Sequence, residues 1–456
     1  VWKEAMTSLL RRGFCSSARA NAKEIAERGK AANLKFYQFS FVDLFGVQRS
    51  KLVPASRVEE IAADGAGFAG FAAHLDMDPT MGDLLAVPDP TTLAPLPWQR
   101  EVGWLSCDLV HQDKGLGHGP RNVLRSVQAK LAAVHGLTLK TGVECEFFIL
   151  DATTAASSPA VADPLDIQSK PCYDAHALMR RYDLVSTLVE HMEELGWGPY
   201  QADHEDANGQ FEINWDYDDA LVTADRVVLF KYMARTLAER FGFRATFMPK
   251  PFAGLTGSGS HAHMSLWDES TGACVSGGGD AASHGLSPTS LSFLSGMLKH
   301  APALLALTNP TVNSFKRLNA RETTSGATWS PTAATWAGNN RSALVRIPGG
   351  ATRMELRVAD MAANPYLMAA AIGAATSSYA ACTSVISDVP ESMIALPLVQ
   401  LESSSNPGLV IVTQKYVWSV TGVYAIVPEY RLASTPPSTS VPLPAVAPSH
   451  PQHCME

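Results

Sequence analysis

The sequence predicts an α+β protein with a small N-terminal domain and a larger second domain. The chain has 456 residues, whereas a single domain typically holds about 100–200. Short segments that alternate apolar and polar residues predict strands, and longer segments with apolar residues at helical spacing predict helices. We therefore expect more than one small hydrophobic core, and two domains.

Residues 1–30 predict a transit peptide and leader. Between Met6 and Glu24 the sequence contains Arg11, Arg12 and Arg19 and several serines but no acidic residue. This make-up is typical of organelle import signals. We therefore predict a mitochondrial location, with plastid or cytoplasm as alternatives, and a disordered basic tail is the simpler interpretation.

Residues 31–114 predict the small domain, which carries strand patterns but no obvious chemistry of its own. Residues 115–376 predict the larger domain, in which helical spacing indicates helices at 121–135, 178–195 and 224–241. Beyond about Ser377 the pattern changes and becomes rich in Pro, Ser and Val. Residues 377–456 are therefore predicted to be a divergent C-terminal segment that is partly disordered.

The overall composition excludes several classes of protein. Lys and Arg number 36 against 44 Asp and Glu, a formal net charge of -8, so a basic surface for nucleic acid is not expected. No apolar run approaches the ~18–20 residues of a membrane-spanning helix. The 7 cysteines include no CxxC pair, which argues against a disulfide framework or a zinc site.

The segment HEDANGQFE at residues 204–212 predicts a hairpin. Its Asn208-Gly209 pair favours a two-residue turn, because both residues tolerate a positive φ. Counting outward from that turn places Glu205 opposite Glu212. Like charges so placed destabilise a sheet, so we expect a positive group between them. For this segment alone, a solvated surface hairpin is the alternative.

Three further strands repeat this design, with polar side chains on one face and apolar ones on the other. Their polar faces hold Glu144 and Glu146 in the first strand, His261, His263 and Ser265 in the second, and Arg353, Glu355 and Arg357 in the third. For any one of them, a strand whose polar face meets water is the commoner explanation. Four such segments together predict a shared cavity.

The residue types in this cavity predict a site for hard divalent cations. Paired acids on a strand repel each other unless a cation or an arginine lies among them, and carboxylates with a single imidazole suit Mg²⁺ or Mn²⁺ better than zinc or copper. Such ions usually bridge substrate phosphates, whose oxygens arginines also bind. The arginines available are Arg317, Arg341, Arg346, Arg353 and Arg357. This pattern predicts phosphoryl transfer assisted by more than one metal ion.

Six motifs then resemble the glutamine synthetase family, over roughly residues 34–376. They are GVECEFF, HEDANGQFE, KPFAGLTGSGSHAHMSL, NPTVNSFKRL, NNRSALVRIP and RMELRVADMAANPYL. They look closest to the type III branch, which includes γ-glutamylmethylamide synthetase (glutamate–methylamine ligase). The resemblance implies a β-grasp N-terminal domain and a catalytic domain with a curved antiparallel sheet flanked by helices.

The same resemblance implies the reaction and its partners. ATP would phosphorylate the γ-carboxylate of L-glutamate, and an amine or ammonia would then displace the phosphate. Two or three Mg²⁺ or Mn²⁺ ions per site would assist. A homo-oligomeric ring with active sites at its subunit interfaces would be the working form, with no nucleic acid or membrane partner.

Roles for single residues follow from the resemblance. One metal would be held by Glu146, Glu205 and Glu212, and another by Glu144, His261 and Glu355. The residues expected to bind glutamate or lie close to it are Gly257, His261, Arg317, Arg341 and Arg357. Those expected to face ATP are His263, Ser265, Arg341, Arg346 and Arg353. Glu205, Arg341 and Arg357 would be catalytic.

Two departures from the family pattern concern the acceptor amine. Bacterial glutamine synthetases carry an ammonium-binding aspartate in a Phe-Asp-Gly sequence, where this chain has Phe68-Ala69-Gly70. They also carry a glutamate on a flap, where this chain has Thr323, although the adjacent Glu322 would serve after a one-residue slip. Fewer carboxylates weaken the hold on NH₄⁺ and leave room for an alkyl group, for which Trp329 and Trp336 would form an apolar lining.

These departures predict a small alkylamine, most of all methylamine, as the acceptor. An ordinary ammonia-using glutamine synthetase is the nearest alternative. A non-catalytic family member that acts as a scaffold or sensor is a third, kept open by the altered C-terminal segment, which no longer resembles the family after about Ser377.

Overall fold

The structure is a computed structural model that describes residues 18–350 and 352–377, together with four two-residue strands farther along the chain. It is a mixed α+β fold with curved sheets flanked by helices, which confirms the predicted fold class. Apart from those four strands, the predicted disorder after residue 377 lies outside the described residues. Among the described residues, no helix is both long and apolar enough to cross a membrane.

The first sheet has seven strands. They are β1 (Phe36–Val42), β2 (Gln48–Pro54), β3 (Ala66–Ala69), β4 (Asp83–Pro88), β5 (Ala94–Leu96), β6 (Gln99–His111) and β7 (Lys114–Gly115). The order is β2-β1-β6-β4-β3, with β5 and β7 also paired to β6. Only β1 and β6 run parallel. Helix α1 (residues 18–31) buries Ala22 and Ile25 in the core that this sheet shares with α2 (Val58–Asp64).

The second sheet has nine strands. They are β8 (Leu137–Asp151), β9 (Pro199–His204), β10 (Gln210–Trp215), β11 (Asp218–Asp219), β12 (Phe243–Thr246), β13 (Ser260–Asp268), β14 (Trp336–Ala337), β15 (Val345–Arg346) and β16 (Met354–Leu356). The order is β14-β15-β16-β13-β8-β10-β9, with β11 and β12 also paired to β8. All pairs are antiparallel except β14 with β15.

Helices surround this second sheet. They are α3 (Pro120–His135), α4 (Ala175–Arg180), α5 (Tyr182–Glu194), α6 (Ala220–Arg240), α7 (Pro288–Lys299), α8 (Ala301–Thr308), α9 (Val312–Leu318) and α10 (Pro365–Ser377). Helix α3 ends at Gly136, whose φ of +63° favours glycine. Helix α6 begins at Asp219, whose carboxylate accepts a hydrogen bond from the backbone N–H of Leu221.

The apolar face of β8 fixes which way its acids point. Val143, Cys145 and Phe147 are buried in the main core, where the Phe147 ring meets Phe230 of α6 edge to face at 5.8 Å between ring centroids. Because side chains alternate along a strand, Glu144 and Glu146 must then lie on the opposite face. Packing against α6 thus presents the charged face of the sheet away from the helix.

The hairpin between β9 and β10 differs from the predicted two-residue turn. The register pairs Phe211 with His204 and Glu212 with Asp203, two residues away from the predicted Glu205–Glu212 pair. Of Asn208 and Gly209, only Gly209 has a positive φ, of +73°.

Asp166 explains the wider turn. Its carboxylate accepts hydrogen bonds from the Gly209 N–H at 2.6 Å and from the Asn208 side chain at 3.0 Å. The same carboxylate holds the buried His204 ring at 2.7 Å. The sequence gives no sign of this partner, which lies about 40 residues earlier in the chain. A shift of two residues keeps every side chain on its predicted face.

The remaining described strands lie in the C-terminal segment. Glu402–Ser403 pairs antiparallel with Val410–Ile411. Ser419–Val420 and Val423–Tyr424 form a separate antiparallel pair.

Candidate active site

Acidic and imidazole side chains from four strands meet on the charged face of the nine-stranded sheet. The register pairs Glu212 of β10 with Glu146 of β8. It also pairs His261 of β13 with Glu144 of β8, and His263 with Glu355 of β16. Cβ atoms of directly paired residues lie about 4.5–5.5 Å apart, so strand pairing alone gathers these groups. Glu205 joins them from the turn after β9.

One group consists of Glu146, Glu205 and Glu212. Each offers a carboxylate oxygen, and these atoms all lie within 4.8 Å of one another. Burial raises the pKa of Glu205 and of Glu212 well above the ordinary value, and the neighbouring carboxylates raise both further. The three carboxylates therefore repel one another when ionised, and a bound cation would relieve this repulsion.

A second group surrounds Glu144. Its carboxylate lies 3.0 Å from His261 Nδ1 and 2.8 Å from His263 Nε2. Burial raises the pKa of Glu144, but the hydrogen bonds from the two imidazoles outweigh burial and leave this pKa well below its usual range. Glu355 joins through His263 at ligand distance, and its carboxylate is 3.9 Å from His261 Nδ1. The resemblance implied a group of Glu144, His261 and Glu355. In the structure His263 takes the place of His261 in that group, and His261 forms a further group with Glu144 and Glu212.

These residues fit a divalent metal ion. The Nε2 atom of His261 is buried and has no hydrogen-bond partner among the described residues. A buried imidazole nitrogen without a partner, next to carboxylates, is the donor set of a metal site. Because oxygen donors outnumber nitrogen donors, the set suits Mg²⁺ or Mn²⁺.

Two of the predicted arginines, Arg346 and Arg357, bind the carboxylate of Glu355. The Arg346 guanidinium lies 2.7 Å from Glu355, and Arg357 donates a hydrogen bond to the other oxygen of the same carboxylate. Burial raises the pKa of Glu355, but His261 and Arg357 oppose it, and the pKa is lowered. Glu355 is therefore held as a fixed anion.

The remaining arginines differ in exposure. Arg353 Nε lies 3.2 Å from His263 Nδ1 at the rim. The Arg341 side chain is exposed, while its carbonyl accepts a hydrogen bond from Arg357 Nε at 2.8 Å. Arg317 is 3% exposed, and its guanidinium donates to the Val358 carbonyl at 2.8 Å. The charges of Arg341 and Arg353 are thus open to a substrate, whereas that of Arg317 is buried.

The glycine loop before β13 comes close to the acids. A Cβ atom at Gly257 would lie 2.3 Å from the Pro249 carbonyl oxygen, so only glycine fits there. Two residues on, the Gly259 N–H donates to Glu146 at 2.8 Å. Ser265, predicted to face ATP, is 7% exposed and accepts a hydrogen bond from Trp267 Nε1.

The residues expected around the acceptor amine do not all lie together. Trp329 bonds through Nε1 to Asp206, the residue after Glu205. Trp336 lies in β14 with its ring against His284. Glu322 is exposed and Thr323 donates its hydroxyl to the Ala327 carbonyl. Of the two tryptophans, Trp329 is the one bonded to a residue next to the metal-binding groups.

Sequence reasoning missed three acids beside the metal-binding groups. They are Asp166, Asp203 and Asp206. Burial raises the pKa of Asp203 to about 6, with Glu144 and Glu146 adding to the rise. Asp203 and Asp206 stand in or next to the HEDANGQFE motif, so their place in the sequence was a usable signal, whereas Asp166 lies in a loop without one.

The raised pKa values predict how pH acts on the metal-free protein. Groups with a higher pKa when folded than when unfolded bind extra protons in the folded state, so stability falls as pH rises. For Asp203 that window runs from about 4 to about 6, and Glu205 and Glu212 extend it upward. Glu144 acts in the opposite direction, but only below its unfolded value. We expect Tm in EDTA to fall as the pH is raised from 5 to 8. Both pH values lie above the ordinary Glu pKa of about 4.3, so the opposing effect of Glu144 is absent there.

Mg²⁺ should reverse this loss, because a cation replaces the missing protons. The rise in Tm on adding Mg²⁺ should be larger at pH 8 than at pH 6, measured by differential scanning fluorimetry. The same comparison with Na⁺ at equal ionic strength is the control. A Mg²⁺ effect independent of pH would contradict this interpretation of the acids.

Comparisons with known proteins agree on one family. Residues 117–378 match the family model described as glutamine synthetase, catalytic domain. A protein of Rhizobium leguminosarum bv. phaseoli named glutamine synthetase is 52% identical over 352 residues, covering 77% of this chain and 79% of that protein. The glutamate–methylamine ligase of Methyloversatilis universalis is 41% identical over 350 residues, covering 76% and 77%. A solved structure of a GmaS/ADP complex is 54% identical with a TM-score of 0.73, covering 78% of this chain and 80% of that chain.

The predicted mitochondrial location is wrong, and so is the plastid alternative. The relatives just described are bacterial, and bacteria have no organelles into which a transit peptide could direct a protein. Part of the predicted leader is moreover folded, since Ala22 and Ile25 of α1 are buried in the first core. Arginine and serine content alone did not distinguish this segment from an import signal.

Proposed function

The chain belongs to the glutamine synthetase family, and we propose that within it the protein uses ATP to join the γ-carboxylate of L-glutamate to a small alkylamine. Members of this family are glutamate–amine or glutamate–ammonia ligases. The observation that supports the chemistry is the pair of carboxylate groups around Glu144 and Glu212, with the unpartnered His261 nitrogen beside them. Methylamine is the acceptor we expect first.

The reaction we propose has two steps. An oxygen of the glutamate γ-carboxylate attacks the γ-phosphorus of ATP and ADP leaves, which gives γ-glutamyl phosphate. The amine nitrogen then attacks the γ-carbonyl carbon, phosphate leaves and one proton is lost. Two or three Mg²⁺ or Mn²⁺ ions would neutralise charge on the phosphate oxygens. The residues that would hold them are Glu144, Glu146, Glu205, Glu212, His261 and Glu355.

The chain's own residues supply the rest. Arg341 offers an exposed guanidinium for the transferred phosphoryl group, where a fixed positive charge favours the transition state. Arg346 and Arg357 keep Glu355 ionised and in place. Glu205 is also proposed to take the proton that the amine loses. Gly257 is proposed to bind glutamate through its backbone, since its missing Cβ leaves room only for the Pro249 carbonyl.

The acceptor proposal rests on the loop after α9. Thr323 stands where the family carries a carboxylate, and its hydroxyl donates a hydrogen bond to the Ala327 carbonyl in the same loop. Trp329 is 42% exposed. A methyl group gains from apolar burial against an indole, and NH₄⁺ has no such group to bury. The relative from Methyloversatilis is named for methylamine and those from Rhizobium for glutamine, so ammonia is the alternative acceptor.

A panel of amines decides between these acceptors. We expect kcat/KM to be higher for methylamine than for ammonium by about tenfold or more, since loss of one ionic contact changes affinity by that order. The measurement is amine-dependent phosphate release at saturating ATP and glutamate, with the amine concentrations corrected for protonation. A clear preference for ammonium would end the alkylamine proposal and leave the ligase assignment intact.

We also propose that residues 31–114 and 115–376 act as two domains of a homo-oligomeric ring in which one subunit's small domain completes its neighbour's site. Ala69, the position of the missing aspartate, is exposed in β3 at the edge of the first sheet. An edge strand with an exposed tip is free to face a partner. Light scattering of the purified protein would test this, and a monomer with full activity would contradict it.

A further inference from the structure

Asp206 occupies a junction between three segments of the active site. Its Oδ2 atom accepts hydrogen bonds from Thr256 Oγ1 at 2.8 Å, from Ser325 Oγ at 2.5 Å and from Trp329 Nε1 at 2.7 Å. Thr256 belongs to the glycine loop before β13, and the other two donors belong to residues 323–329, here called the acceptor loop. The Asp206 side chain is 7% exposed. A single buried oxygen thus ties the acceptor loop to the glycine loop.

We propose that Asp206 is the positioning residue that holds the acceptor loop beside Glu205 and thereby sets the preference among amines. This inference rests on the proposed ligase function and deepens it.

Asp206 is coupled directly to Glu205. The Asp206 N–H donates to Glu205 Oε2 at 2.9 Å. A displacement of the Asp206 backbone therefore moves the carboxylate that we propose takes the proton from the amine. The acceptor loop and Glu205 are in this way positioned by one residue.

The acceptor loop has a second anchor that does not involve Asp206. Thr324 bonds through both its N–H and its hydroxyl to the Gly254 carbonyl, at 2.8 and 3.1 Å. Loss of Asp206 would therefore release the Ser325–Trp329 half of the loop and leave the Thr324 half attached. We expect a local change in the acceptor site and an intact fold.

Trp329 links this anchor to amine choice. Its Nε1 is held by Asp206, its φ is +54°, and 42% of the residue is exposed. A bulky residue in the left-handed region keeps that conformation only if its surroundings hold it there. An indole held open at this place offers apolar surface to an alkyl group, with a gain of about fourfold in affinity for each methylene buried.

The test compares five variants in amine-dependent phosphate release. They are Asp206→Ala, Asp206→Asn, Ser325→Ala, Trp329→Phe and the matched control Ser330→Ala. Ser330 is buried, and its hydroxyl has no hydrogen-bond partner among the described residues, so its loss should leave kinetics unchanged. KM is measured for methylamine, ethylamine, ammonium and ATP, and amide hydrogen exchange is followed over residues 323–329.

We expect Asp206→Ala to raise the KM for methylamine about tenfold, and Ser325→Ala and Trp329→Phe to raise it about threefold each. The KM for ATP should change less than about twofold. The preference for methylamine over ammonium should shrink, and acceptor-loop exchange should accelerate in all variants except Ser330→Ala. The double variant Asp206→Ala with Trp329→Phe should be no worse than Asp206→Ala alone, because Asp206→Ala already removes the acceptor of the bond that Trp329→Phe removes.

Two results would overturn the inference. One is that Ser325→Ala and Trp329→Phe leave the KM for methylamine and the acceptor-loop exchange unchanged, as Ser330→Ala is expected to do. This result would overturn the inference even if Asp206→Ala does not fold. The other is that the KM values for ATP and methylamine rise in parallel, which a general structural defect would cause. If the wild-type protein prefers ammonium, the acceptor proposal fails, and the same ratios measured with ammonium still decide the role of Asp206.

Discussion

Replacing Glu212 with glutamine is expected to lower amine-dependent kcat/KM by about 100- to 1,000-fold, the range for loss of one electrostatic stabiliser, while the metal-free protein becomes more stable. Glu212 is 6% exposed, and its raised pKa comes from burial and from Glu144, Glu205 and Glu146. Glutamine removes the repelling charge and still offers an oxygen to Asn214 Nδ2, which Glu212 Oε1 binds at 2.8 Å. Stability gained together with activity lost is the signature of a binding carboxylate.

The free energy of unfolding should be measured by urea denaturation at pH 8 in EDTA and in Mg²⁺. In EDTA the variant should exceed the wild type by more than the roughly 0.5 kcal/mol of a surface substitution, and Mg²⁺ should stabilise it less than it stabilises the wild type. Glu194→Gln is the matched control, since Glu194 pairs with Arg100 instead. A Glu212→Gln protein that is less stable in EDTA would show that the acid has a structural partner and not a metal.

Replacing Arg341 with alanine should lower kcat by about 100- to 1,000-fold, because a preorganised charge on the transferred group is worth that much, with almost no effect on Tm. The side chain is exposed. The group that Arg357 binds at this position is the Arg341 carbonyl, which alanine keeps. The positive charge opposes the rise that burial causes in the pKa of Asp203, so it acts next to the metal-binding groups. Loss of the Arg341 charge should therefore lower kcat and leave Tm almost unchanged.

The control for Arg341 is Arg100→Ala, an exposed arginine whose partner is Glu194. Single-turnover phosphoryl transfer from ATP to glutamate measures the chemical step apart from product release. Unchanged kcat in Arg341→Ala, or an equal loss in Arg100→Ala, would remove Arg341 from the proposed mechanism.

Strand periodicity predicted the charged face well, for a physical reason. Side chains alternate along a strand whatever lies elsewhere in the chain, so Glu144, Glu146, His261 and Glu355 were placed on the correct faces from sequence alone. The core behind them followed from the same alternation. Even the wrong register at Glu205 and Glu212 left the grouping intact, because a shift of two residues preserves the face.

Partners distant in sequence were not predictable in the same way. Asp166 widens the hairpin turn from a loop about 40 residues away, and the Asn208-Gly209 pair by itself favoured a tighter turn. The role proposed for Asp206 depends on its hydrogen bonds with Thr256, Ser325 and Trp329, which lie 50 to 123 residues away in sequence. Trp329 and Trp336 look alike in sequence, and only the pairing of β14 with β15 separates them.

The most direct test of the central claim is the transfer of ¹⁸O from glutamate to phosphate. With [γ-carboxyl-¹⁸O₂]glutamate, ATP, Mg²⁺ and methylamine, we expect one labelled oxygen in each phosphate released, and a rate of labelled phosphate release that falls to background in EDTA and by about 100- to 1,000-fold in Glu212→Gln. Unlabelled phosphate, or ATP turnover that does not require glutamate, would contradict it.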